Sequence, residues 1–236
     1  MFRRHLLASV SSLWLAGSRI GHATSARGIP QWAPGTASPP LQVNPGPWVF
    51  FTPEEAAVIG AIADRLIPPD AETLGGRDAG CAVFIDHQLA GDYGASATHY
   101  MQAPFYAGTP SQGPQSANTP RLVYRNGLAA LSKYCHSAFI SKNFVDLSAA
   151  QQDSLLRGLE TGTITLAQFD GKAFFKLVLK NVMEGFFADP IYGGNRDMAG
   201  WKMIGFPGTR YDYRDWVDKH NQRYPYPPVS IAGRAV

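Results

Sequence analysis

Apolar residues recur every three or four positions through much of the chain between residues 51 and 187, the pattern of amphipathic helices. Phe51-Thr52-Pro53-Glu54-Glu55 opens the first: Thr52 is the N-cap, Pro53 takes the first helical position and Glu55 completes a capping box. Val58, Ile59, Ile62, Leu66 and Ile67 follow at helical spacing until Pro68-Pro69 ends the run. A Gly-rich loop from Leu74 to Gly80 feeds a short helix from Cys81 to about Leu89, with Cys81, Phe84, Ile85 and Leu89 on one face. From Pro120, the residues Tyr124, Leu128, Leu131, Cys135 and Phe139 fall at spacings of 4, 3, 4 and 4, a core-facing stripe. Ser148-Ala149-Ala150-Gln151 and Thr165-Leu166-Ala167-Gln168 are two further capping boxes. The first predicts a helix through Leu155, Leu156 and Leu159 that ends near Gly162. The second predicts a longer one carrying Phe169, Phe174, Phe175, Leu177, Val178 and Val182.

Residues 91–119 break this rhythm, because Gly, Pro, Ser, Thr and Gln interleave there with Tyr93, Tyr100, Phe105 and Tyr106, which predicts a long ordered loop. No alternating run is long enough for a strand. The expected fold is therefore mainly α, a single helical domain over residues 51–236 with about five helices and long ordered loops.

The first residues read differently. A basic start, Met1 to His5, precedes an apolar run from Leu6 to Gly17 and then small residues through Ala23 and Ala26. That is the layout of an export signal over residues 1–26, and the run is too short to span a bilayer. Arg3-Arg4 followed by two leucines resembles a twin-arginine signal, which exports folded proteins. Residues 27–50 are dense in Pro, Gly and Ser and predict an extended linker or arm. The chain carries 21 Lys+Arg against 18 Asp+Glu, but Arg3, Arg4 and Arg19 all precede Ala26. Cleavage there leaves 18 of each, so no basic footprint for nucleic acid remains.

The stretch from Val182 to Gly208 draws the rest together. It holds Phe186, Phe187, Tyr192, Trp201 and Phe206 among glycines and prolines. Asp189-Pro190 stops the preceding helix, Gly193-Gly194-Asn195 predicts a tight reversal, and Phe206-Pro207-Gly208 a second turn. So many large apolar side chains must be covered, either as a well-packed Ω-like loop or by a partner protein. The docking candidates are Phe186, Phe187, Asp189, Pro190, Tyr192, Gly193, Gly194, Asn195, Trp201, Phe206 and Pro207. A catalytic loop is the weakest reading, since the stretch holds no His, Cys or Ser.

Motifs for reactive chemistry are missing elsewhere as well. Gly75-Gly76 and Gly80 have the wrong spacing for a dinucleotide loop, and there is no phosphate-binding P-loop and no haem-attachment Cys-x-x-Cys-His. Asp86-His87 and Cys135-His136 are adjacent pairs whose side chains diverge by about 100° on a helix, and Asp86 and His87 are expected to be half-exposed. Cys81 and Cys135, in an exported chain, favour one internal disulfide; two buried free thiols, or a bridge to another subunit, are the alternatives. An exported helical chain without an assembled nucleophile and base reads as an accessory subunit with no catalytic, cofactor or metal residues of its own. A free-standing periplasmic sugar-binding protein or oxidoreductase is the alternative.

Particular residues carry a family resemblance. They are Arg3-Arg4, Leu66-Ile67-Pro68, Gly127-Leu128 with Leu131, Gln152-Asp153 with Leu159-Glu160, and above all Asn181 to Asn195 continuing through Trp201 to Gly208. In these the chain resembles the gluconate 2-dehydrogenase subunit 3 family, the small subunits of membrane-bound FAD-dependent sugar and sugar-acid dehydrogenases. The resemblance implies a large FAD-containing subunit that oxidises the substrate. It implies a multihaem cytochrome c subunit that anchors the complex and passes electrons to quinone. The small subunit is then needed for maturation and export of the large one, in the periplasm, and meets the membrane only through the complex.

Overall fold

The computed structural model describes residues 43–106, 108–112, 116–210 and 212–232. The expected export signal and residues 27–42 of the arm lie outside the described residues. Helix α1 (Pro53–Leu66) begins as its capping box dictates: Thr52 Oγ1 accepts from Glu55 N–H, and the Glu55 carboxylate accepts from Thr52 N–H at 2.9 Å. Helix α2 (Cys81–Ala90) starts from Gly80, whose φ of 84° suits glycine, and a single turn, α3 (Asp92–Ala95), follows. Thr119 caps α4 (Pro120–Ala138). After a 3₁₀ turn (Phe144–Asp146), the Ser148–Gln151 capping box opens α5 (Ala149–Thr161), and Gly162 at φ 80° closes it.

Helix α6 (Gly171–Phe187) does not start at the Thr165 box. Asp170 caps it instead, its Oδ1 accepting from Ala173 N–H at 2.9 Å. A carboxylate is favoured over a hydroxyl at the positive end of a helix. Leu166 meanwhile turns into the core, 1% exposed, and pairs with Phe169 in an isolated bridge. Burial of that leucine wins over continuing the helix upstream.

Helix α6 is the axis of the fold: α1, α2, α4, α5 and the short α7 (Ala199–Ile204) all touch it. Its buried face presents Phe174, Phe175, Val178, Val182 and Phe186, and Phe174 meets Tyr124 of α4 edge-on at 6.0 Å. Polar side chains fasten the neighbours. Arg65 of α1 forks onto both oxygens of Asp153 of α5 at 2.7 and 2.8 Å, and Arg121 donates to the Leu89 and Ala90 carbonyls that end α2.

Asp86 departs from the expected half-exposed position. It is 1% exposed, and its carboxylate accepts from the N–H groups of Val49, Phe50 and Phe51 at 2.9, 3.0 and 2.8 Å. A carboxylate one turn from the end of α2 thus fixes the extended segment that leads into α1. Among the described residues no helix is long and apolar enough to cross a membrane.

Candidate functional site

The end of α6 carries the Gly-rich stretch. Any helix leaves its last carbonyls without intrahelical partners. Here Trp201 Nε1 donates to the Phe187 carbonyl and Asn195 Nδ2 to the Ala188 carbonyl, both at 2.8 Å. Asn195 is fully buried in a left-handed conformation (φ 46°), and its Oδ1 accepts from Gly200 N–H at 2.8 Å. One side chain therefore ties the helix end to the start of α7.

Asp189 acts in the same way toward the C-terminal tail. Its Oδ1 accepts from Ile191 N–H and the Ser230 hydroxyl at 3.0 and 2.7 Å, and its Oδ2 from Ile231 N–H at 2.8 Å. Gly193 makes the expected reversal at φ 90°, and Gly194 lies so close to the Gly185 backbone of α6 that a Cβ would collide with it. Arg196 N–H donates to the Ala79 carbonyl at 3.0 Å, which binds the loop to the start of α2 as well.

The stretch is therefore a loop packed on its own core. Phe186, Asp189, Gly194, Asn195 and Trp201 are buried, and Phe187, Pro190, Gly193 and Pro207 are half-buried. Of the large apolar docking candidates, Tyr192 and Phe206 remain at the surface, each 43% exposed, joined by Met203 and Ile204 of α7. Asn195, Asp197 and Met198 all hold positive φ values between 46° and 55°, so this segment stores backbone strain that its packing holds in place.

Two concavities flank the core. A cleft of about 770 Å³ runs between the Asp70–Leu74 loop and α7, with Asp197, Lys202, Met203 and Arg223 along it. A second, of about 610 Å³, lies between α1, α4 and the 3₁₀ turn, where Val58, Leu128, Leu131 and Phe144 face Glu55 paired with Arg125. In the first, the Thr73 hydroxyl donates to Asp70 Oδ1 at 2.9 Å within an exposed turn; in the second, Ser132 Oγ lies 3.5 Å from His136 Nδ1, one turn along α4. Among the described residues no group of three or more His, Cys, Asp or Glu side chains is placed to hold a metal ion.

Cys81 and Cys135 are both buried and free, so the internal disulfide favoured from the sequence is not formed. Both do face inward, but at different levels. Cys81 Sγ points to the Val182 carbonyl of α6 at 3.6 Å, next to Asn181, which bonds Tyr124 of α4 at 3.0 Å. Cys135 lies eleven residues beyond Tyr124, about 16 Å along the axis of α4. Burial pushes the Cys81 thiol up to about 12 and the Cys135 thiol to about 11.

Asn181, named from the sequence only as the first residue of the family motif, joins α3, α4 and α6. Its amide oxygen accepts from the hydroxyls of Tyr93 and Tyr124, and its Nδ2 donates to Glu184 at 2.8 Å. The signal was a lone amide between Val178 and Val182 on an apolar stripe, where a buried polar group needs partners. Burial raises both tyrosine hydroxyls above their ordinary pKa.

The sequence profile of the family Gluconate 2-dehydrogenase subunit 3 matches residues 53–208. The chain belongs to this family. No curated protein and no solved structure matches it. The family span opens at Pro53, the first residue of α1, and closes at Gly208, a left-handed turn after α7. It thus contains all the long helices and the packed loop at the end of α6. The flanking segments lie outside it, each held by a buried carboxylate within it: Asp86 grips residues 49–51 and Asp189 grips residues 230–231.

Proposed function

We propose that this chain is the non-catalytic small subunit of a membrane-bound, FAD-dependent dehydrogenase of the gluconate 2-dehydrogenase kind. It stabilises the flavoprotein subunit, assists its maturation and accompanies it to the periplasm through the Arg3-Arg4 signal. FAD belongs to that large subunit and haem c to a cytochrome subunit that passes electrons onward. The observation carrying this reading is the family match across the whole helical domain, residues 53–208. The rigid scaffold around α6 fits a supporting role, since its polar side chains are committed to helix ends and segment anchors.

Co-expression tests the reading. The FAD-binding subunit produced without this chain is expected to be insoluble or to stay in the cytoplasm, and dye-linked dehydrogenase activity should appear in the periplasm only when both are present. Arg3→Lys/Arg4→Lys should hold both proteins in the cytoplasm. Equal periplasmic activity with and without the chain would refute the role, as would turnover of sugars by the chain purified alone.

A further inference from the structure

Two segments outside the span 53–208 meet on one short turn inside it, Asp189–Gly193. From the N-terminal side, Val43 N–H donates to the Ile191 carbonyl at 2.7 Å. The Val43 side chain lies over Gly193, where an added Cβ would come within 2.9 Å of it. From the C-terminal side, the Ser230 hydroxyl and Ile231 N–H donate to the Asp189 carboxylate. Ile191 carries both connections, since its N–H donates to Asp189 Oδ1 at 3.0 Å and its carbonyl accepts from Val43.

The turn is out of water: Asp189, Ile191 and Ser230 are 7%, 2% and 5% exposed. A carboxylate keeps such a place only while donors satisfy it. Of the three donors to Asp189, the tail supplies two; without the tail, Ile191 N–H alone remains of them. The carboxylate is then driven toward water, and the Ile191 peptide loses the bond that orients it. Val43 N–H loses its fixed acceptor in turn. The tail reaches Asp189 through a second fastening, in which Thr209 N–H donates to the Val229 carbonyl at 2.7 Å and Val229 N–H to the Pro207 carbonyl at 3.2 Å. Asp86 of α2 grips residues 49–51 separately, so the dependence on the tail falls on the stretch around Val43.

We infer that the Asp189–Gly193 turn is a latch between the two ends of the chain: the segment that leads back to Arg3-Arg4 is held at Val43 only while the C-terminal tail is seated at Ser230 and Ile231. The consequence for export rests on the accessory-subunit reading above. A signal that carries folded proteins is then joined to a base that is fixed only in a chain folded through Ile231. Coupling between two sites is reciprocal, so freeing Val43 must also loosen the tail.

Hydrogen exchange on the purified chain tests the latch with three variants. A stop after Pro228 removes the tail's contact, Ser230→Ala removes one donor to Asp189, and Val43→Pro removes the donor to Ile191. Without the tail the Val43 amide should exchange about tenfold faster, with a smaller change in Ser230→Ala, and in Val43→Pro the Ile231 amide should accelerate by about the same factor. Phe50 and Phe51, held by Asp86, and Val178 and Val182 in α6 should keep their wild-type rates. A Val43 amide unmoved by loss of the tail overturns the latch, as does an Ile231 amide unmoved in Val43→Pro. Equal acceleration at Val178 and Val182 overturns it too, since that is a general loss of stability. Should the shortened chain fail to fold, Ser230→Ala and Val43→Pro decide. The periplasmic yield of Val43→Pro should fall below wild type, and full delivery would overturn the link to export. Delivery that persists in Arg3→Lys/Arg4→Lys removes the export reading itself and leaves the latch standing.

Discussion

Asp189 holds a carboxylate in a position 7% exposed, met by Ile191 N–H, Ser230 Oγ–H and Ile231 N–H. Asp189→Asn keeps the shape but turns one acceptor into a donor facing donors. Urea unfolding should show a loss of about 1–3 kcal/mol, and the tail from residue 209 should become open to limited proteolysis. Unchanged stability and an intact tail would mean the anchor is dispensable. Cys81 predicts a pH dependence. Its thiol is raised from 9.0 to about 12 by burial, so above pH 9 the unfolded chain releases a proton that the native chain keeps. Stability from this group is complete below pH 9 and falls as pH rises toward 12, by up to about 1.4 kcal/mol per pH unit. Tyr93 and Tyr124 are also raised by burial and steepen the same limb. Cys81→Ala isolates the thiol, since urea midpoints measured at pH 8 and pH 10 should diverge less in the variant than in wild type.

Helices were legible where their signals are local. The Thr52–Glu55 and Ser148–Gln151 boxes lie within one turn of the backbone they cap, and both form as read. The Thr165 box has the same spelling but competes with a stronger cap at Asp170 and with burial of Leu166, which depends on residues far away in sequence. Asp86 and Asn181 escaped for the same reason: their partners sit about 36 and 57 residues away. Periodicity could place Cys81 and Cys135 on inward faces but not at a common depth. The end of α4 adds a prediction at this scale. The helix stops at Ala138, and Ile140 takes φ 53° while 93% exposed, at the kind of position where glycine usually closes a helix. A β-branched residue there costs about 1–2 kcal/mol, partly offset in glycine by backbone entropy. Ile140→Gly should raise stability by about 0.5–1 kcal/mol in urea unfolding, and a loss would show that the exposed isoleucine has a contact worth more than the strain.

Among the described residues α6 is surrounded by five other helices, and even its exit loop is tied down. Periodicity and the motif announced a helical fold and the family, but they could not say which aromatics the chain buries in its own core, because that division is made by tertiary packing. A core packed around α6 has a consequence for how a partner acts. If the FAD-binding subunit binds only the native chain, it stabilises that chain by mass action, about 2.7 kcal/mol at a hundred times the dissociation constant, without reshaping the core. Hydrogen exchange reads this on one chain within the complex. Amides in the middle of α6, around Val178 and Val182, are buried under the other helices and exchange through the rarest openings. At that excess of partner they should slow about a hundredfold. D-Gluconate alone should leave them unchanged. Exchange in α6 that does not slow with saturating partner would mean that the two subunits do not assemble through the folded state described here.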